Sequence, residues 1–256
     1  MNSARVEKHR DVSVLTLARG KVNALDEPMV DGLQELLRSL EYDLETRAVV
    51  LTGQASFFSF GFDVPALYDY SPGDFTRFLR KFTDLYRSLF GLPKPVVAAV
   101  NGHAVAGGCM LATTADYRIM ASGRARISLN EITFGAALFA GSVDMLVHLV
   151  GQRHAETVAL AGAMYSAEDA RAIGLIDEVV PPLGVLPRAI EVASEMAGRD
   201  AAAYAAIKNL LRGPVVERMR LAEAGSIQRF IEIWYSAPTR ERLKGIRIRL
   251  TDSPPR

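Results

Sequence analysis

Two glycine-bearing turns are the parts of this sequence best suited to chemistry. Residues 56–64 read SFFSFGFDV after a strand-like run, and residues 101–112 read NGHAVAGGCMLA between an apolar strand and a helix. At such turns backbone N–H groups point outward and can hold a carbonyl oxygen as it gains negative charge. Glycine lets a ligand approach the backbone closely. Taken singly, each segment is more often a tight turn whose glycines serve sterics alone. Glu131, in ISLNEITFG, is by itself a charged residue at a strand end.

Other machineries are missing. No GxSxG surrounds a serine, and neither HExxH, GxxxxGK[ST] nor GxGxxG occurs. The histidines, His9, His103, His148 and His154, lack metal-ligand spacing, and a single cysteine, Cys109, excludes an internal disulfide or a CxxC site. Thirty basic against 29 acidic residues give a formal charge of +1, which argues against a nucleic-acid partner that needs a basic field. At 49% hydrophobic and 23% charged, the 256 residues suit a soluble globular chain, with a prior of one to two domains of roughly 150 residues. Clean apolar runs such as residues 96–100 are far short of the ~20 a membrane helix needs. Arg5, Glu7, Lys8, Arg10 and Asp11 leave no apolar signal core at the start. The expectation is a reduced, cytoplasmic protein without a membrane partner or a metal.

The first half alternates strands and helices. VSVLTL from Val12, AVVLTG from Ala48, PVVAAV from Pro95 and DYRIMAS from Asp116 read as strands. Asp26 with Pro28 opens a helix bearing Val30, Leu33, Leu36, Leu37 and Leu40 on one face. A second amphipathic helix is expected from about Asp74 to Leu89, its stripe of Phe75, Phe78 and Phe82 serving helix packing, with part of it available to cover a ligand chain. The small-residue stretch AGGCMLATTA begins a helix at its glycines. Further on, GSVDMLVHLVG and RHAETVALAG read as two helices that each stop at glycine, Ser166 and Asp169 resemble a capping box, and LIDEVV is a strand before Pro181 and Pro182. From Leu186 onward the pattern is helix after helix, ending in the basic TRERLKGIRIRL. This divides the chain into an α/β core over residues 1–185 and a helical region over 186–256.

In combination and in this order, these segments resemble the crotonase (enoyl-CoA hydratase/isomerase) superfamily over nearly the whole chain. FFSFGFDV resembles the family's first oxyanion loop, which implies Phe62 as one N–H donor. NGHAVAGGCMLATTADYRI resembles the second, which implies Gly107 as the other. KVNAL, residues 21–25, matches the segment that lies along coenzyme A, so Lys21, Asn23, Ala24 and Leu25 are implied substrate contacts. The resemblance further implies a spiral of repeated ββα units, a C-terminal helical trimerisation region giving a homotrimer or dimer of trimers, and an acyl-CoA substrate. No cofactor is implied beyond the coenzyme A of that substrate.

Family hydratases carry two glutamates. One position matches Glu131; the other, just after the second glycine turn, holds Met110 here. A third family position, aspartate in dienoyl isomerases, holds Phe139. Methionine neither gives nor takes a proton, and its apolar bulk disfavours water. A single carboxylate suffices to move a double bond, and GGCMLA and LNE look closest to monofunctional Δ3,Δ2-enoyl-CoA isomerases of fatty acid metabolism. The resemblance therefore implies Glu131 as base and then acid, in a pocket lined by Met110, Phe134 and Phe139. Asp63 is placed at the substrate loop, with capping of the following helix the preferred role. Asp144 aligns with an aspartate in some isomerases without an assigned role. Phe230, Ile231 and Trp234 are expected as exposed apolar residues of the trimer interface. The rival readings are a weak hydratase, lyase or thioester hydrolase of the same fold, and an acyl-CoA-binding protein without catalysis.

Overall fold

The computed structural model describes residues 3–246. Strands β1 (Ala4–His9) and β2 (Val12–Leu17) form an antiparallel hairpin. β1 has no apolar run to announce it; Arg5, Glu7 and Lys8 are the exposed charges that keep a sheet edge from pairing further. Helix α1 (Glu27–Tyr42) starts where Asp26 accepts the Met29 N–H at 3.0 Å, and it buries Met29, Val30, Leu33, Leu37 and Leu40.

Three rounds of the same winding follow. β3 (Ala48–Gly53) and β4 (Phe57–Ser59) lead into α2 (Val64–Leu67) and α3 (Pro72–Gly91). β5 (Val96–Val100) and β6 (His103–Val105) lead into α4 (Gly107–Thr113). β7 (Tyr117–Ala121) and β8 (Ile127–Ser128) lead through a 3-10 turn, Glu131–Phe134, into α5 (Ala140–Ala161). Each round sends its first strand to a large sheet and its second to a small one. With α6 (Ala167–Ala172) and β9 (Glu178–Val180), the large sheet has the order β1-β2-β3-β5-β7-β9, and the small parallel sheet β4-β6-β8. β3 and β5 are buried along their whole length, as parallel strands covered on both faces must be.

The two helices expected between Gly141 and Gly162 are present as the two arms of α5, which is broken where Gly151 takes φ +74° and ψ +164° and ends where Gly162 takes φ +59°. The helical region begins with α7 (Val185–Ala197), which packs on β2, β3, β5 and β7. Only α8 (Ala201–Trp234) and α9 (Ala237–Lys244) lie beyond it, with α8 against α3 and α5. Phe230, Ile231 and Trp234 are buried within the chain rather than exposed, because α8 turns them onto α3, where Trp234 meets Phe75 at a ring separation of 4.7 Å. The exposed apolar residues of α8 are Ile207, Leu210, Leu211 and Leu221. The part of TRERLKGIRIRL from residue 247 lies outside the described residues.

A buried charge cluster joins α8 to the sheet. Asp116, just before β7, accepts the Val96 N–H at 2.7 Å, Lys208 Nζ at 2.6 Å and Arg212 at 3.0 Å. Lys208 also donates to the Lys94 carbonyl, and burial lowers its pKa to about 8. Removing the acid would strand two cations in the interior. Asp116→Ala is therefore expected to cost about 3–5 kcal/mol, measured as a lower urea midpoint with an unchanged slope; a loss below ~1 kcal/mol would show that α8 is anchored without it.

Candidate active site

Each strand of the small sheet delivers one candidate residue at its C-terminal end. β4 runs into Gly61 and Phe62, β6 into Ala106 and Gly107, and β8 into Asn130 and Glu131. Because the strands are parallel neighbours, these three ends lie side by side, where open parallel sheets bind their ligands. The register is tight. A Cβ on Gly61, which has φ +81°, would sit 2.9 Å from the Val105 carbonyl and 3.0 Å from the Gly107 nitrogen. A Cβ on Gly108 would fall 2.2 Å from the Ser59 carbonyl, so α4 can dock on β4 only with glycine there. Between them Ala106 is held at φ +51°, ψ −122°, a conformation non-glycine residues rarely adopt.

Neighbouring amides are used in holding these loops. Leu25 N–H donates to the Gly61 carbonyl, Asp63 N–H to the Leu25 carbonyl, Ala106 N–H to the Ser128 carbonyl and Met110 N–H to the Ala106 carbonyl, all at 2.8–3.0 Å. Among the described residues no acceptor takes the Phe62 or Gly107 N–H. For Gly107 this follows from its place in the first turn of α4, whose amides have no intrahelical partner. Two preorganised amides at adjoining turns can stabilise an oxyanion.

Glu131 opens the 3-10 turn and is 4% exposed. Burial pushes its pKa up to about 8, with its own backbone amide opposing part of that rise. Among the described residues, its Oε2 has no hydrogen-bond partner, and neither do Asn130 Oδ1 and Trp234 Nε1. All three residues line one cavity of about 250 Å³ together with Phe62 and Gly107. Rings of Phe60, Phe134, Phe139, Phe230 and Trp234 complete most of the wall, and Glu131 is the one ionisable side chain in it among the described residues. Phe62 is itself backed by Phe78 and Phe82, edge to face at 5.1 and 4.9 Å. Cys109 is fully buried nearby, and burial and the Glu131 charge both push its thiol upward, away from the reactive thiolate. No cluster of metal-ligating side chains occurs among the described residues.

The other expected contacts divide between the cavity and its surroundings. Phe134 and Phe139 line the cavity; Met110 is buried in α4 and does not. Lys21 is exposed, while Asn23, Ala24 and Leu25 are buried beneath the Phe62 loop. Asn23, at φ +50°, donates to the carbonyls of Gln54, Phe57 and Phe58, and so fixes the turn into β4. Asp63 caps α2 through the Ala66 N–H and pairs with Arg19 at 2.7 Å; Arg19 also holds Asp26. Asp144 pairs with Arg218 at the surface. The residues missing from the sequence reading of the pocket are Phe60, Val64, Val105, Ala106, Asn130, Phe230, Trp234 and Ile246. The four-residue spacing of Phe230 and Trp234 on one helix face was the available signal.

Known proteins agree with this architecture. Residues 7–244 match the family model Enoyl-CoA hydratase/isomerase. Enoyl-CoA delta isomerase 1, mitochondrial, of Mus musculus is 30% identical over 86% of this chain and 76% of its own length. Enoyl-CoA hydratase, mitochondrial, of Pongo abelii is 32% identical over 93% and 81%. The crystal structure of human mitochondrial delta3-delta2-enoyl-CoA isomerase superposes with a TM-score of 0.88 at 28% identity, covering 94% of this chain and 95% of that one. The chain belongs to the enoyl-CoA hydratase/isomerase family and has its crotonase fold. Relatives of similar identity carry both names, and the choice of reaction rests on the residues of the site.

The position of Glu131 has a consequence for stability. The folded protein keeps its proton up to about pH 8, whereas an unfolded chain loses it near 4.5. Between those values the folded state binds more protons, so this group lowers stability as pH rises. Glu131→Gln should match the wild type at pH 4 and exceed it by on the order of a few kcal/mol at pH 9. Denaturant midpoints across that range check this; a difference that does not grow with pH would contradict the burial of an ionisable group.

Proposed function

We propose that this protein shifts the double bond of a 3-enoyl-CoA to the 2 position. The Glu131 carboxylate removes a proton from C2, and the electrons move into the thioester to give a dienolate. The Phe62 and Gly107 amides bind its oxygen, and the protonated Glu131 returns the proton at C4. Base and acid are thus the same group at different times, which suits a proton affinity raised toward neutrality. The observation that carries this reading is that, among the described residues, the cavity holds one carboxylate inside an aromatic wall, with no second ionisable group to hold and activate water.

Hydration of 2-enoyl-CoA is on this account weak or absent, and no cofactor is used beyond the substrate's coenzyme A. Hydratase names among the relatives keep that reaction as the second reading. We further place the protein in the cytoplasm; none of the described helices is long and apolar enough to cross a membrane. We also read it as a homotrimer or dimer of trimers, the exposed Ile207, Leu210, Leu211 and Leu221 of α8 offering apolar surface for another copy.

Turnover of 3-hexenoyl-CoA, followed by absorbance of the conjugated product, tests the proposal. The wild type should isomerise it with kcat/KM rising to a plateau above about pH 8, since the free base is required. Glu131→Gln should lower kcat by at least about a thousandfold with acyl-CoA affinity largely kept. Activity within about tenfold of the wild type, or 2-enoyl-CoA hydration faster than isomerisation, would overturn it.

A further inference from the structure

The aromatic wall of the cavity is unevenly exposed: Phe60 is 39% exposed, whereas Phe139, Phe230 and Trp234 are 0, 2 and 1% exposed. These three rings form a stack, with Phe139 and Phe230 separated by 4.7 Å at 24° and Phe230 and Trp234 by 5.7 Å at 23°. They are the most deeply buried rings of the cavity wall and are taken as its floor.

A buried hydrogen-bonded joint adjoins this floor and has no part in the chemistry of Glu131. Glu223 on α8 is 4% exposed. Its Oε2 accepts from the Tyr86 hydroxyl at 2.7 Å, its Oε1 from Ser226 Oγ at 3.1 Å, and the Gly141 N–H also donates to the carboxylate. Tyr86 is a fully buried residue of α3, and Gly141 is in the first turn of α5. The positive end of α5 favours an acid there. There is no slack: a Cβ on Gly141 would lie 2.5 Å from Glu223 Oε2 and 2.6 Å from the Tyr86 oxygen.

Every helix that meets at the joint also builds the floor. Phe139 caps the N-terminus of α5, two residues before Gly141. Phe230 and Trp234 follow Glu223 on the same buried face of α8, at helical spacing. On α3, Phe82 lies one turn before Tyr86 and meets Phe139 at 6.4 Å, while Phe75 packs on Phe230 and Trp234 at 6.1 and 4.7 Å. Fixing the three helices at one buried point fixes how far apart these rings can move.

We propose that the Tyr86–Glu223–Gly141 joint sets the depth of the cavity and makes the protein selective for short acyl chains. This rests on the acyl-CoA reading of the site. The cavity volume, about 250 Å³, falls just under the roughly 300–1,000 Å³ of small-molecule sites. A long chain would enter only if the ring stack parted, which the joint opposes. Glu223 and Tyr86 are positioning residues in this scheme, acting through Phe139, Phe230 and Trp234.

Binding of coenzyme A, hexanoyl-CoA and dodecanoyl-CoA, measured by calorimetry, reads the depth without requiring turnover. The wild type should bind hexanoyl-CoA at least about tenfold more tightly than dodecanoyl-CoA. Tyr86→Phe, which removes one hydroxyl, and Glu223→Ala should each shrink that ratio by about fivefold or more through a gain for dodecanoyl-CoA. Glu223→Gln keeps an acceptor for Gly141 and should restore most of the preference. Phe230→Ala shortens the floor directly and should produce the same gain even if a joint variant proves too unstable to assay. A wild type without preference for the short chain, or variants that weaken both acyl-CoAs in parallel, would overturn the proposal. If neither acyl-CoA binds more tightly than coenzyme A alone, the acyl-CoA reading of the site fails, and the proposal with it.

Discussion

The site depends on how closely three neighbouring parallel strands can be brought together. β4, β6 and β8 end side by side only because the turn after each is packed backbone against backbone. Ser59 touches Gly108, and Gly61 touches the Val105–Gly107 turn, at distances that leave no room for a side chain. From that one constraint the rest follows. The Phe62 and Gly107 amides become neighbours, and Glu131 on the third strand end faces the same cavity. The strained Ala106 sits at the centre of this contact. Strain of this kind persists only where the surroundings determine the backbone fully, and here three strands, α4 and the Asn23 staple do so.

The electrostatic character of the site follows from its walls. Among the described residues, Glu131 is an acid in an aromatic enclosure, with neither a cation nor a neighbouring hydroxyl to hold its charge. The ion pairs lie elsewhere: Arg19 with Asp26 and Asp63 beneath the Phe62 loop, and Asp116 with Lys208 and Arg212 at the foot of α8. Those pairs fix the backbone, and the lone carboxylate is left with a proton affinity near neutrality. Buried cost in one place and anchoring charge in another are two parts of the same division of labour between catalysis and scaffold.

Much of this was legible in the amino-acid sequence, because the relevant signals are local. Asp26 and Ser166 cap helices through side chains next to the helix start. The glycine turns after β4 and β6 carry their constraint in their own composition. What was not legible depends on packing between distant segments. β1 is a charged edge strand made regular by its partner. Phe230, Ile231 and Trp234 look like exposed surface until α3 is laid against α8. The segment 21–25 carries a family resemblance, but only the fold shows that Asn23 and Leu25 hold the Phe62 loop by hydrogen bonds. Met110 lies in a stretch that reads as pocket wall, yet the direction of α4 turns it into the core. Helix direction and inter-helix contact decide such cases, and neither is written in a local pattern.

The central claim is that one carboxylate, shielded from water, carries out both proton transfers. The fate of a label tests it most directly. With 3-hexenoyl-CoA deuterated at C2, in ordinary water, NMR of the early product should find part of the deuterium moved to C4, carried there by Glu131. Product whose new hydrogen at C4 comes wholly from water, at the first turnovers, would contradict a single shielded group and require a second proton donor in the cavity.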